Sequence, residues 1–122
     1  MKKVNTNNFK KTLSKFSTGI TVVCVKNNNS IYGKTVNSFN SLSLNPPMVL
    51  FSLGNYSSSI KKFSKTKFLS INILSSKQKK LSDNFALTEP NLEDIKFIEG
   101  KNKTVIIPNC IANLECKLCL LY

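Results

Sequence analysis

Ile20-Thr21-Val22-Val23-Cys24-Val25 is an unbroken apolar and β-branched run, stopped by Asn27-Asn28-Asn29 and answered by Ile31 to Val36. Branching at Cβ suits a pleated strand better than a helix, and asparagine tolerates the left-handed backbone of a tight turn. The pattern predicts a β-hairpin. Beyond Val36 the chain never settles into regular strand–helix–strand spacing, and no Gly-x-Gly-x-x-Gly sequence is present, which argues against a Rossmann cofactor site. The expected fold is mainly β with short helices, an antiparallel barrel rather than a doubly wound sheet.

Around the hairpin the remaining elements can be placed. Asn7 or Asn8 is expected to cap a helix carrying Phe9, Leu13 and Phe16 on its inner face, with Gly19 beyond its end, and that helix is expected to cover one end of the barrel. Met48 to Leu53 reads as a third strand. Ser57 or Ser58 opens a short helix with Ile60 and Phe63 inward and lysines outward, and Phe68 to Leu74 forms the next strand. Gln78 to Phe85 is a second short helix with Leu81 and Phe85 on one face. The stretch from Asn91 to Lys103, which holds Glu93, Asp94 and Glu99, is the least regular and reads as a long excursion with weak strand character. From Ile111 on, Ala112, Leu114, Cys116, Leu118 and Leu120 alternate with Asn113, Glu115 and Lys117, the mark of a strand with one buried face.

A chain of 122 residues is one domain with a modest core. It has no run of 18 apolar residues and its N-terminus is polar, so neither a membrane span nor a secretory signal is indicated, and a soluble cytoplasmic protein is expected. The net charge of +12 invites a nucleic-acid reading. All 18 basic residues are lysine, however, whereas base-edge and bidentate phosphate recognition lean on arginine. Abundant lysine, asparagine, isoleucine and phenylalanine is what an AT-rich coding sequence produces. Specific nucleic-acid binding is therefore disfavoured, while nonspecific attraction to polyanions or steering of phosphate-bearing nucleotides stays compatible with the charge. Cys116-x-x-Cys119 falls in a predicted strand, where an offset of three puts the two side chains on opposite faces. With Cys24 and Cys110 these are read as reduced thiols rather than as zinc ligands or disulfides.

One segment stands apart from the core pattern. Thr35, Asn37, Ser38, Ser41 and Ser43 string hydroxyl and amide groups between Gly33, where backbone can come close to whatever lies there, and the pair Pro46-Pro47, which cannot donate to a ladder and forces a turn before Met48. Such a polar shelf suits a flat, neutral, polar heterocycle. A Ser/Asn-rich loop capped by prolines is the plainer alternative.

The ordered set Phe9-x-x-x-Leu13-x-x-Phe16-x-Thr18-Gly19-Ile20-Thr21-Val22-Val23, Gly33-x-Thr35-x-Asn37-Ser38-Phe39-x-Ser41-x-Ser43-Leu44-x-Pro46-Pro47, Ser57-Ser58-Ser59, Phe68-x-x-x-Asn72-Ile73-Leu74, Gln78-x-x-Leu81-Ser82-x-x-Phe85-Ala86 and Leu114-Glu115-Cys116 runs through about nine-tenths of the chain. In this set the chain resembles the flavin reductase family, the reductase components of two-component flavin monooxygenases. The resemblance implies a Greek-key, FMN-binding split β-barrel, a homodimer, FMN or FAD as the bound flavin, NADH or NADPH as electron donor, and delivery of reduced flavin to a separate oxygenase. It places Thr35, Val36, Asn37 and Ser38 along the flavin ring and ribityl chain, with Ser41 and Ser43 on the ribityl or pyrimidine side. Ser52, Leu53 and Gly54, with Ser58 and Ser59, would cradle the phosphate, and Asn72, Gln78, Ser82 and Phe85 are candidates for the phosphate or adenosine end. Plainer readings make Ser58 a helix cap, Phe85 a core residue and Asn72 a strand amide.

The chain has no histidine, so Ser-His-Asp and Cys-His arrangements are excluded within it and a cofactor must carry the hard step. No catalytic side chain and no metal ligand is assigned. Members of the family continue past the Leu-Glu-Cys strand with a Gly-Asp-His segment and closing strands, so the resemblance implies that residues 1–122 are a C-terminally incomplete flavin reductase-like domain. A noncatalytic flavin-binding or vestigial fragment is the alternative reading, and a lysine-rich polyanion-binding module the third.

Overall fold

A computed structural model describes residues 3–16, 18–54 and 58–119. The expected hairpin is present: β1 (Thr21–Asn27) and β2 (Ser30–Val36) pair antiparallel from Thr21↔Val36 to Asn27↔Ser30, and Asn28 in the two-residue turn has φ 55°. β1 also pairs with β5 (Phe68–Ile73), and β5 with β8 (Ala112–Lys117). The result is a four-stranded antiparallel sheet in the order β2-β1-β5-β8. Because side chains alternate across a strand, Val22 and Cys24 face one side and Val23 and Val25 the other, and all four are buried.

Each face has its own core. On one, Val22, Cys24 and Leu74 pack with Val105, Ile107 and Phe85, the last supplied by α3 (Lys79–Ala86), which follows a single 3₁₀ turn at Ser76–Gln78. On the other, Val23, Val25, Val36, Leu69 and Ile71 pack with Phe63 of α2 (Ser59–Ser64). Burying each phenylalanine contributes about 1.5–3 kcal/mol. The two short helices are thus plugs, as the Phe63 and Phe85 positions predict.

The segment from Pro90 to Pro108 folds against the first core with only two-residue strands, β6 (Ile98–Glu99) and β7 (Val105–Ile106). A buried polar knot fastens it. Asn72, fully buried in β5, donates from Nδ2 to the Val22 carbonyl (3.0 Å) and to Ser70 Oγ (3.1 Å), while its Oδ1 accepts from the Ile107 N–H (3.0 Å) and Asn113 Nδ2 (2.8 Å). The Ser70 hydroxyl in turn donates to the Val105 carbonyl. Glu115 adds a second tie, accepting the Lys101 and Asn102 N–H groups, each at 2.7 Å. Those donations hold its carboxyl below the ordinary value, although desolvation pushes the other way.

Three expectations are corrected. Asn40–Leu44 is a strand, β3, paired with β4 (Pro47–Leu50) around a turn containing a cis Asn45–Pro46 bond, so the third predicted strand is shorter than Met48–Leu53 and its partner lies where the Ser/Asn pattern predicts loop. The helix α1 (Thr6–Leu13) is capped by Asn5, whose Oδ1 accepts from the Asn7 and Asn8 N–H groups at 2.9 and 3.3 Å. Its apolar face does not cover the end of the sheet as expected: Phe9 is 51% and Leu13 54% exposed, and Phe16, which falls beyond the helix, is 77% exposed. Amphipathic spacing says that a face wants cover without saying what provides it. Ser57 and Leu120, each assigned a place in the sequence, lie outside the described residues.

Candidate functional site

The polar shelf is built at the end of the edge strand β2. Thr35 Oγ1 donates to the Ser82 carbonyl at 2.7 Å, fastening β2 to α3. The Val36 side chain is buried in the second core, so only its backbone can meet a ligand. Asn37, the next residue, is exposed and makes no side-chain hydrogen bond within the described residues. Ser38 closes a reciprocal clasp: its Oγ accepts from the Ser52 N–H at 2.8 Å and donates to the Ser52 carbonyl at 3.3 Å. That clasp joins the chain leaving β2 to the chain leaving β4 and ties down the backbone next to Asn37. Ser41 is exposed and Ser43 half-buried on β3, on either side of a bulge. Leu53 leans on the second core, and a Cβ at Gly54 would meet nothing within 4 Å.

The other assigned residues do not join this shelf. Asn72 is the centre of the buried knot. Gln78 accepts the Ser75 N–H through Oε1 (2.9 Å) and donates through Nε2 to the Pro108 carbonyl (2.8 Å). Ser82 offers its carbonyl to Thr35. Phe85 is fully buried, and it accounts for Gly33: a Cβ there would stand 2.5 Å from Phe85 Cε1 and 2.7 Å from Cδ1. The close approach expected at Gly33 is therefore made by a core ring, not by a ligand. Ser58, at the start of α2, makes no capping bond with its side chain and lines a separate cleft of lysines; Ser59 is half-buried in the first turn.

A groove that the sequence pattern does not announce adjoins Asn37. Phe9, Leu13, Phe16 and Ile20, with Lys10, Ser14, Thr18 and Asn37 among them, line an open hollow of about 540 Å³. Its volume lies in the range of small-molecule sites, and apolar walls with a convergent amide are what an aromatic heterocycle needs. The only signal in the sequence is the spacing of Phe9, Leu13 and Phe16, which alone reads as core.

Burial makes three of the four cysteines poor nucleophiles. Cys24 is buried and its thiol is pushed up to about 12, mainly by burial, with the Ser70 hydrogen bond pulling weakly the other way. Burial also raises Cys110 and Cys116. All four thiols are free, and among the described residues no grouping of Cys, Asp and Glu could hold a metal ion. No described helix is long and apolar enough to cross a membrane.

Comparison with known proteins places this geometry in context. Residues 13–120 match the family described as "Flavin reductase like domain". The FMN reductase (NADH) SmoA of Agrobacterium fabrum is 35% identical over 113 residues, covering 93% of this chain and 65% of SmoA. The solved structure of flavin reductase PheA2 superimposes with a TM-score of 0.82 at 35% identity, over 93% of this chain and 74% of that one. The NADH:FAD oxidoreductase SgcE6 of Streptomyces globisporus, solved in complex with NAD and FAD fragments, superimposes with a TM-score of 0.86 at 28% identity, over 100% of this chain and 76% of that one. The chain spans between one-third and about seven-tenths of the length of the curated relatives it matches, and 65% of SmoA.

Proposed function

The chain belongs to the flavin reductase-like domain family, and from that premise we propose that it binds FMN or FAD at the Asn37 shelf, takes electrons from NADH or NADPH, and supplies reduced flavin to a separate oxygenase. Its fold is the mainly β split barrel of the flavin reductases on which it superimposes. The observation that carries the reading is the pairing of a fixed polar edge with an apolar groove: the Ser38–Ser52 clasp ties down the backbone next to Asn37, whose amide faces no partner among the described residues, beside the hollow that Phe9, Leu13 and Phe16 help to line.

A bound flavin would supply the ring that accepts hydride from a reduced nicotinamide. Asn37 and the backbone N–H groups from Val36 to Ser38 would donate to its polar edge, Ser41 and Ser43 would reach the sugar-like chain, and the groove residues would exclude water from the ring face. Donors held in place before charge develops need no reorganisation, which is why a clasped segment suits the task better than a free loop. The relatives named for monooxygenase reductase subunits support the onward delivery of reduced flavin.

A homodimer is part of the proposal. Besides the α1 face, Leu42 and Leu44 of β3 are 56% and 90% exposed, and a second copy covering these surfaces would wall the groove from its open side. Light scattering should give twice the chain mass, and Phe16→Glu should shift it toward the monomer.

Titrating the protein with FMN and FAD while following flavin fluorescence should give saturable binding, weakened at least tenfold by Ser38→Tyr, which breaks the clasp and fills the shelf. Binding indifferent to that change would place the site elsewhere. Saturable flavin binding with no flavin-dependent NADH oxidation would overturn the electron-transfer part of the proposal.

A further inference from the structure

A cleft of about 970 Å³ lies against the turn end of the β1–β2 hairpin. Lys26, Lys61, Lys62, Lys65, Lys67 and Lys103 line it, drawn from β1, α2, the approach to β5 and the β6–β7 turn. Ser58, Lys61, Lys62 and Lys65 stand at i, i+3, i+4 and i+7, so they share one helical face, while Phe63 fills the core from the other. The hairpin is fastened to that helix, because Asn27 Nδ2 donates to the Lys62 carbonyl at 3.0 Å. Two of the ammonium groups are seated on aromatic rings: Lys62 Nζ is 3.9 Å from the Tyr32 centroid and Lys67 Nζ 5.6 Å from that of Phe68.

Coding bias raises lysine everywhere but does not gather it. Six of the cleft's 15 lining residues are lysine, against 18 of 122 in the chain, and none is acidic. Among the described residues, only Lys26 of the six has a carboxylate within salt-bridge range, Glu99 at 3.7 Å. Like charges converging in a concavity repel one another where field lines are focused, and an anion of several charges relieves that repulsion.

We infer that this cleft is an oligophosphate-binding site, distinct from the flavin shelf, taking a chain of two or more phosphates either as a free inorganic anion or as the phosphate tail of a nucleotide. Ammonium groups bind phosphate as point charges and need no bidentate geometry, which fits an all-lysine lining. An open cleft of about 970 Å³ has the size of a small-molecule site and is shorter than the track that a nucleic-acid strand follows.

Calorimetric titration with tripolyphosphate, ATP and adenosine at 0.15 M salt tests this. At that ionic strength diffuse surface attraction is screened beyond about 8 Å. Tripolyphosphate should bind saturably with one site per chain. Lys61→Gln/Lys65→Gln/Lys103→Gln should weaken it on the order of tenfold or more, since it removes three of the six ammonium groups that line the cleft. The matched control Lys11→Gln/Lys77→Gln/Lys96→Gln should change affinity less than twofold, and replacing the three cleft lysines by arginine should retain binding. ATP tighter than tripolyphosphate, with adenosine silent, identifies a nucleotide as the source; equal affinities identify the inorganic anion. Flavin titration of the same variants should be unchanged, which separates this inference from the flavin proposal. Equal weakening by the control set, absence of saturable binding, or tighter binding of a single-stranded oligonucleotide than of tripolyphosphate would overturn it.

Discussion

Asn72 and Asn37 are the same side chain set in similar company. One follows Ser70 and Ile71; the other precedes Ser38. Asn72 lies in β5, an inner strand of the four-stranded sheet, and both ends of its amide are engaged by β1, β8 and the β7 segment. Asn37 lies just past β2, the edge strand, exposed and with no side-chain partner among the described residues. An amide inside must find every partner in the protein, so it becomes a fastener; an amide at an edge keeps its donors and acceptor for something else. Sheet position, not residue type, separates the amide that fastens the fold from the one left without a partner among the described residues.

The largest effect that can break this contrast is expected at Asn72. Asn72→Leu keeps the branched shape but strands the Ile107 N–H and takes a partner from the Val22 carbonyl and from Asn113 Nδ2, which keeps only the Ile107 carbonyl, and each buried group left unpaired costs about 1–3 kcal/mol. Urea unfolding should show a loss of about 3 kcal/mol or more, while the folded fraction binds flavin with unchanged affinity. A stable Asn72→Leu with weakened flavin binding would reverse the roles assigned to the two asparagines.

Next in size comes Gly33. A methyl group there meets the Phe85 ring at 2.5 Å, and that ring is fully buried and cannot swing aside. Overpacking of this kind costs about 1–3 kcal/mol. Gly33→Ala should lower the urea midpoint, and Gly33→Ala/Phe85→Leu should recover part of the loss. Failure of the second change to compensate would mean that Gly33 is required for something other than the ring.

How far the chain can be read divides along the same line. The hairpin is legible because β-branched residues and three asparagines leave one reasonable conformation, and the plugs α2 and α3 are legible through Phe63 and Phe85. Strand β3 is hidden although Ser41, Leu42, Ser43 and Leu44 alternate, because a Ser/Asn string before prolines reads as loop and its leucines are left exposed. At Gly33 and Asn72 the sequence picks out the residues but not their partners. Long-range contacts decide those roles, and one sequence does not state its own pairings. The lysine cleft is invisible for the same reason: its members are scattered from Lys26 to Lys103.

A smaller effect is expected at Glu115, which holds the turn after β6. Its folded carboxyl titrates below the ordinary value of 4.5, so the unfolded chain takes up a proton first as pH falls. The contribution is therefore fully present above the unfolded value and is lost as pH drops through the folded one. The stability difference between the protein and Glu115→Gln should be largest near pH 6 and shrink below pH 4. A difference that stays constant with pH would mean that the two N–H donations from Lys101 and Asn102 do not depend on the charge.

The smallest effect on stability, and the sharpest for the comparison, is expected at Asn37. Its side chain is exposed and pairs with nothing described, so Asn37→Ala should change unfolding free energy by no more than about 0.5 kcal/mol. If the shelf holds a flavin, the same change removes a donor from the ring's polar edge and should weaken flavin binding roughly five- to tenfold, the worth of one hydrogen bond. Measured together, a flat stability and a reduced affinity would set Asn37 opposite Asn72, where stability falls and affinity holds. A substitution at Asn37 that lowers stability as much as one at Asn72 would show that the edge amide is a fastener too, covered by a second copy of the chain, and the ligand donors would then have to come from the Val36 to Ser38 backbone alone.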